Sequence, residues 1–185
     1  GHIVYTGSCL NQQIAPAAEW ALEHVGSCFF LLGSDYVFPR TANRLIRSLV
    51  TERGGDGEIV AERYVPLGAQ DFGEIIEDLR RLRPQLVFNT LNGDSNLAFF
   101  RQLHAAGLPA GEIPVLSVSV AETELQSIAD AAEGHLACWN YFQSLDLPDN
   151  QRFVARFRER YGPARVCSAP IVLAYCQIYL WKQAV

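Results

Sequence analysis

The sequence predicts an α/β fold in which an open, mostly parallel sheet is covered by helices on both faces. Short apolar runs, which suit buried strands, alternate along the chain with segments whose apolar residues recur at helical spacing. About six strands are predicted in this way, and the connections between them have ordinary lengths. The 185 residues are 49% hydrophobic and 19% charged, which is typical of a globular protein. Such alternation of strands and helices indicates a parallel sheet between helical layers.

The clearest alternation is a strand, a loop and a helix in the first third of the chain. Residues 28–32 form a compact apolar run, CFFLL, that predicts a buried strand. A polar loop follows at 34–36, and Pro39 suits the first turn of a helix because its missing N–H would have no partner there. Helical spacing of apolar residues then predicts a helix from Pro39 to about residue 53. In open α/β sheets such loops lie at the carboxyl ends of strands, where ligands bind.

The other elements are predicted from the same signals. Further strands are predicted at 3–6, 58–65, 86–90, 113–118 and 135–141. Asn11 is the expected N-cap of the first helix, and Asp71 with Glu74 has the form of a capping box before another. A later helix is predicted at about 122–129. The last one, at 170–184, is apolar on nearly all sides, which predicts that it is buried.

Composition and charge exclude several classes of function. The formal net charge is −5 and no basic cluster offsets it, so no nucleic-acid partner is expected. The five cysteines show no C-x-x-C or zinc-type spacing, and neither a metal nor a cofactor is predicted. The chain contains no methionine, so we expect it to be an excised piece of a longer protein, with Gly1-His2 as a tag remnant.

Polar side chains are expected to gather at one edge of the sheet, because parallel strands all end there. The candidates are Thr6, Ser8, Ser34, Asp35, Tyr36, Asn92, Asp94, Ser117 and Ser119. This set suits hydrogen bonding to a small polar molecule, and it lacks a histidine beside a nucleophile and the G-x-S-x-G motif of hydrolases. An enzyme is therefore not predicted. Spacing alone favours Asp94 as the N-cap of the next helix, a role that leaves carboxylate acceptor sites free.

Several long motifs resemble one family of binding proteins. They are YTGSCLNQQ, FFLLGSDYVFPRTANR, AERYVPLGAQDF, FNTLNGDSNLAFF and WNYFQSLDLPDNQRFVARF. Together they resemble the urea-binding protein of bacterial urea ABC transporters and the related amide sensor of aliphatic amidase operons. Both have the type I periplasmic-binding-protein fold, in which two α/β lobes close on a ligand.

The resemblance implies a division of the chain. Residues 8–137 correspond to the second lobe, and 3–7 and 136–142 correspond to two hinge crossings. Residues 143–185 correspond to a segment that returns towards the first lobe, which is missing. Self-association of the exposed surface, for example as a homodimer, is therefore expected.

The resemblance also implies a function. Tyr36 and Asp94 would face the ligand, and Ser34, Asp35, Asn92 and Ser117 are further candidates. The ligand would be a small neutral polar molecule, urea or a short-chain amide, delivered to an ABC permease from the periplasm or another extracytoplasmic space. Alternatives are a sensor of the same fold acting on a regulator, which would be cytoplasmic if it were of the amide-sensor type, or a branched-chain amino acid binding protein.

Overall fold

The computed structural model describes residues 3–53 and 55–185, so Gly1-His2 lies outside the described residues. The helices are α1 (Leu10–His24), α2 (Val37–Arg53), α3 (Gly73–Leu82), α4 (Asp94–Ala105), α5 (Glu122–Ala132), α6 (Pro148–Tyr161) and α7 (Ala169–Ala184). The strands are β1 (Cys28–Ser34), β2 (Glu58–Val65), β3 (Leu86–Thr90), β4 (Val115–Ser117) and β5 (Leu136–Ala137). Strands and helices alternate from α1 to α6, as the sequence predicts.

All five strands run parallel in one sheet, in the order β2-β1-β3-β4-β5. Side chains of β1 alternate between the two faces, since successive residues of a strand point in opposite directions. Phe29 and Leu31 pack with α1 and α2, whereas Phe30 and Leu32 pack with α3, α4 and α5. Two apolar cores therefore sandwich the sheet, and the predicted α/β class with helices on both faces is confirmed.

Gly33 allows β1 to pass close to its neighbours. A Cβ atom at this position would lie 2.6 Å from Thr90 Oγ1 in β3 and 2.8 Å from Pro39 Cβ in α2. Both distances are shorter than real Cβ contacts, so a side chain here would push β3 and α2 away from β1. The glycine thus brings together the two strand ends that carry most of the candidate site.

The first predicted strand is wrong, because 3–6 is coil with Ile3, Val4 and Tyr5 exposed. The predicted strands at 113–118 and 135–141 shorten to three and two residues. The segment that follows β5, residues 138–147, contains a turn at 143–144 and leads to α6.

Four predicted details of the helices also differ. α1 begins at Leu10, so Asn11 lies inside it, and α2 begins two residues before Pro39. Asp71 Oδ1 accepts a hydrogen bond of 3.0 Å from Gly73 N, but Phe72 is the N-cap of α3 and the capping box is absent from the described contacts. α7 is exposed along most of its length instead of buried.

Candidate functional site

The candidate site is the edge of the sheet where β1, β3 and β4 end. Their carboxyl ends lie side by side because the three strands are parallel neighbours. The loop 35–36 follows β1, the loop 91–93 follows β3 and the loop 118–121 follows β4. Each loop leads directly into a helix, so each helix begins at this edge. The six residues that the resemblance implies all lie in these loops, in the last residue of the strand before them or in the first residue of the helix after them, and Ser119 lies in the loop after β4. Thr6 and Ser8 do not join the edge through a strand, because the strand predicted before them does not form.

Ser34 and Asn92 fasten the first two loops to each other. Ser34 is 0% exposed, and its Oγ accepts a hydrogen bond of 3.0 Å from Asn92 N. The Asn92 side chain is half-buried and donates to Thr90 O at 3.2 Å. Both side chains therefore have partners within the protein. Ser34, which is buried, supports the loop of Asn92 from behind the surface.

Asp35 is exposed, but its carboxylate is already paired. Arg40, one turn into α2, donates from Nε to Asp35 Oδ1 at 2.7 Å and forms an ion pair with it. The Arg40 guanidinium also lies over the ring of Tyr64 in β2, 4.3 Å from the ring centroid. Asp35 and Arg40 thus neutralise each other at the rim of the edge.

Tyr36 presents an aromatic ring and a hydroxyl at the same edge. Its backbone N–H donates to Ser34 O at 2.9 Å, which turns the chain out of β1, and its ring lies 6.4 Å from that of Phe38. The side chain is half-buried, and this burial raises the pKa of the hydroxyl above its usual value. The hydroxyl is therefore neutral at physiological pH and is available as a donor and an acceptor.

Asp94 is the first residue of α4, and the prediction that it is the N-cap is wrong. Gly93 takes the N-cap position with a φ of 62°, a conformation that glycine adopts without strain. The Asp94 side chain is exposed and makes no hydrogen bond to the described residues. A carboxylate suits this position because the N-terminal end of a helix is partly positive. Asp94 is thus an available acceptor beside the Tyr36 loop.

Ser117 belongs to a buried polar network behind the edge. Asn89 Nδ2 donates to Ser117 Oγ at 2.9 Å and to Asn96 Oδ1 at 2.8 Å, and Asn96 Nδ2 donates to Leu91 O at 3.0 Å. Asn89 Oδ1 in turn accepts from Leu91 N at 2.9 Å. These bonds fix the loop that contains Asn92 and leads to Asp94 at the start of α4. Ser117 is thus already hydrogen-bonded within the protein.

The sequence reasoning missed Asn89 and Asn96, which hold that network. Both are 0% exposed, and Asn89 lies inside the apolar run LVFNT of β3. A buried side-chain amide nearly always has hydrogen-bond partners, so an asparagine within a buried strand is a usable signal. Here it marks the strand end that supports Asp94.

Asp35, Gly93 and Asp94 are exposed at the edge. A cavity of about 980 Å³ lies elsewhere, between α6 and α7, and Phe153, Phe157 and Tyr175 line part of it. No group of three or more histidine, cysteine or acidic residues among residues 3–53 and 55–185 is arranged to hold a metal ion. In the same part of the chain, every helix is too short or too polar to cross a bilayer.

Solved structures of solute-binding proteins share this architecture. The solute-binding protein of an ABC transporter from Rhodopseudomonas palustris BisB5, in complex with 3,4-dihydroxybenzoic acid, superposes with a TM-score of 0.87 at 26% identity, over 99% of this chain and 50% of that one. The corresponding protein from strain HaA2, in complex with p-hydroxybenzoic acid, gives a TM-score of 0.86 at 28% identity, over 97% and 49% of the two chains.

A curated relative is the Leu/Ile/Val-binding protein homolog 6 of Brucella melitensis, which is 28% identical over 94% of this chain and 45% of its own length. The chain thus spans about half the length of the relatives it matches. Neither urea nor an amide is named for any of these three proteins. The solved relatives are solute-binding proteins of ABC transporters and not enzymes, as the sequence predicts. The sequence profile described as "Periplasmic binding protein domain" matches residues 1–185, and the chain therefore belongs to the type I periplasmic-binding-protein family.

Proposed function

We propose that this chain is one lobe of the solute-binding protein of an ABC transporter, and that its edge binds urea or a short-chain amide in a cleft that a second lobe completes. The observation that carries the choice of ligand is the exposed Asp94 carboxylate, which makes no hydrogen bond to the described residues and lies at the same edge of the sheet as the neutral hydroxyl of Tyr36. The N–H₂ groups of urea and amides are donors, and a carboxylate acceptor makes a stronger hydrogen bond with them than a neutral acceptor does.

The charges of the edge disfavour an anionic group at this lobe. A helix N-terminus attracts anions, but α4 carries its own carboxylate there in Asp94. The neighbouring cation, Arg40, is engaged by Asp35. A benzoate of the kind bound by the solved relatives would therefore have to direct its carboxylate towards the other lobe.

The proposed mechanism is closure of two lobes about a hinge. Residues 8–137 form the lobe, 3–7 and 136–142 cross to its partner, and 143–185 return towards it. The coil at 3–6 and the coil and turn at 138–147 support this division, since neither segment is held in a helix or a longer strand. A ligand that contacts both lobes binds the closed state better and shifts the population towards it. The closed protein would deliver its solute to a permease from an extracytoplasmic compartment.

A branched-chain amino acid is the second candidate ligand. The name of the Brucella relative supports it, and the ammonium group of an amino acid would also pair with Asp94. A sensor that acts on a regulator instead of a permease would use the same edge. Genes for a permease and an ATPase beside the gene would favour transport, and an amidase or regulator gene would favour sensing.

The test is calorimetric titration of the two-lobed protein that contains this chain with urea, acetamide, leucine and 4-hydroxybenzoate. We expect saturable binding of urea or acetamide and none of 4-hydroxybenzoate. Binding of leucine alone would replace the amide with the second candidate. Binding of 4-hydroxybenzoate without either amide would overturn the proposed ligand class.

A further inference from the structure

The side chain of Gln13 joins three segments that are distant in sequence. Gln13 lies in the first turns of α1 and is only 6% exposed. Its Nε2 donates to Val118 O at 2.9 Å and to Cys138 O at 2.6 Å. Both hydrogens of the amide are therefore used, each on a backbone carbonyl more than 100 residues away in the chain.

The two carbonyls belong to functionally different segments. Val118 begins the loop between β4 and α5, which lies on the candidate edge. Cys138 begins the coil that leaves β5 and forms the proposed second crossing. α1 itself follows the coil of the proposed first crossing. Gln13 thus lies on the helix that follows the first crossing and is hydrogen-bonded to both the edge and the second crossing.

Further bonds fasten the second crossing to the same loop. Cys138 N donates to Ser117 O at 2.9 Å, and Trp139 Nε1 donates to Val120 O at 2.7 Å. Gln143 N donates to Glu122 Oε1 at 2.7 Å. The crossing therefore follows the edge loop over several residues, and Gln13 ties both of them to α1.

We propose that Gln13 is a positioning residue that clamps the crossings to the ligand-binding edge and so couples binding to closure. The inference rests on the proposed function, because the crossings act as a hinge only if a second lobe is present. Without the clamp, the crossing would have more conformational freedom in the open state. Closure would then have to remove that freedom, which weakens binding. The two carbonyls would also lose buried partners.

Gln13→Met in the two-lobed protein tests this inference, because methionine keeps the length of the side chain and removes both donors. The matched control is Gln102→Met. The Gln102 amide also bridges two backbone groups, as donor to Gln70 O at 2.7 Å and acceptor from Phe72 N at 2.9 Å, but it lies between α4 and the start of α3. Both variants should lose a similar amount of thermal stability.

We expect Gln13→Met to bind the titrated solute about tenfold more weakly, mainly through faster dissociation, and to show a smaller decrease in radius of gyration on binding. Gln102→Met should match the wild type within about twofold in both measurements. Calorimetry, stopped-flow dissociation and small-angle X-ray scattering supply the three readouts.

The outcomes separate the clamp from the proposed function. A wild-type protein that does not compact with any of the titrated solutes contradicts the hinge itself. If the wild type compacts and the effects of Gln13→Met and Gln102→Met are equal, the clamp is overturned and Gln13 is a stabilising residue only.

If Gln13→Met does not fold, Gln13→Glu replaces it. Its neutral acid form keeps one donor, so we expect binding relative to wild type to recover as the pH falls, and an absence of recovery overturns the clamp.

Discussion

Two aspartates at the same edge of the sheet have opposite surroundings. Asp35 is held by Arg40, whereas Asp94 is exposed at the start of α4 and makes no hydrogen bond to the described residues. An exposed ion pair such as Asp35–Arg40 contributes little to stability but does satisfy the carboxylate. The difference between the two acids therefore lies in which one is available to a ligand.

Asp94→Asn in the two-lobed protein should weaken binding of the amide ligand by at least about tenfold, because hydrogen bonds to a charged group are worth about 1.5–3 kcal/mol. The free energy of unfolding should fall by less than about 1 kcal/mol, the usual value of an acid at a helix N-terminus. Calorimetry and thermal unfolding in the absence of ligand measure the two effects. Asp130→Asn, which replaces an exposed aspartate near the end of α5, is the matched control and should bind as the wild type does. Unchanged affinity of a folded Asp94→Asn protein would show that Asp94 only complements the helix.

The sequence predicted that these residues share an edge, but not which of them reach its surface. The alternation of strands and helices predicts parallel strands, and this places Ser34, Asn92 and Ser117 at strand ends. Whether a hydroxyl at a strand end faces solvent or a neighbouring loop depends on contacts between distant segments. Ser34 meets Asn92 and Ser117 meets Asn89, pairs that are 58 and 28 residues apart. No local pattern encodes those pairs.

At the scale of elements, pairing decides whether an apolar run becomes a strand. Residues 3–6 have the composition of a strand, but the structure pairs them with no strand among the described residues, and Ile3, Val4 and Tyr5 are exposed. The sheet ends at β5, which has two residues and one neighbour, β4. The β-strand pattern in the sequence therefore marked where strands could form and overestimated their lengths near the crossings.

A neutral histidine holds the start of β5, the outermost strand of the sheet, against β4. His135 Nδ1 accepts a hydrogen bond of 3.1 Å from Val115 N, at the start of β4, and its ring packs edge-on against Phe100 with centroids 5.2 Å apart. Burial lowers the pKa of His135 from 6.5 to about 4. Protonation would place a charge in this site and remove the acceptor.

The free energy of unfolding should therefore decrease as the pH falls from about 6.5 to about 4, since the unfolded chain takes up this proton near pH 6.5 and the folded chain only near pH 4. Thermal unfolding at several pH values, without urea, measures the slope. His135→Gln should flatten the dependence in this window relative to the wild type. His104→Gln, which replaces an exposed histidine of α4, should leave it unchanged. Equal slopes in all three proteins would exclude His135 as the group responsible.

At the scale of the whole molecule, α7 departs most from what its sequence predicts. Its apolar composition predicts burial, yet Ile178 and Trp181 are each 65% exposed, and Tyr175, Tyr179 and Leu180 are exposed as well. Within the described residues it contacts α6 through Tyr175 and Phe153, whose ring centroids lie 4.9 Å apart. The pattern was a correct sign of a surface that needs a partner. It could not indicate that the described residues leave most of this surface uncovered.

The 185-residue chain by itself should consequently self-associate through α7, because a contiguous apolar surface of this kind favours contact with a second copy over contact with water. Light scattering across a concentration series should give a mass above 20.6 kDa that increases with concentration. Ile178→Glu with Trp181→Glu should shift the chain towards monomer. Leu67→Glu is a matched control, since Leu67 is 60% exposed in the turn after β2, away from α7, and this variant should associate as the wild type does. A monomeric wild type at every concentration, or equal association of all variants, would remove α7 as the contact surface.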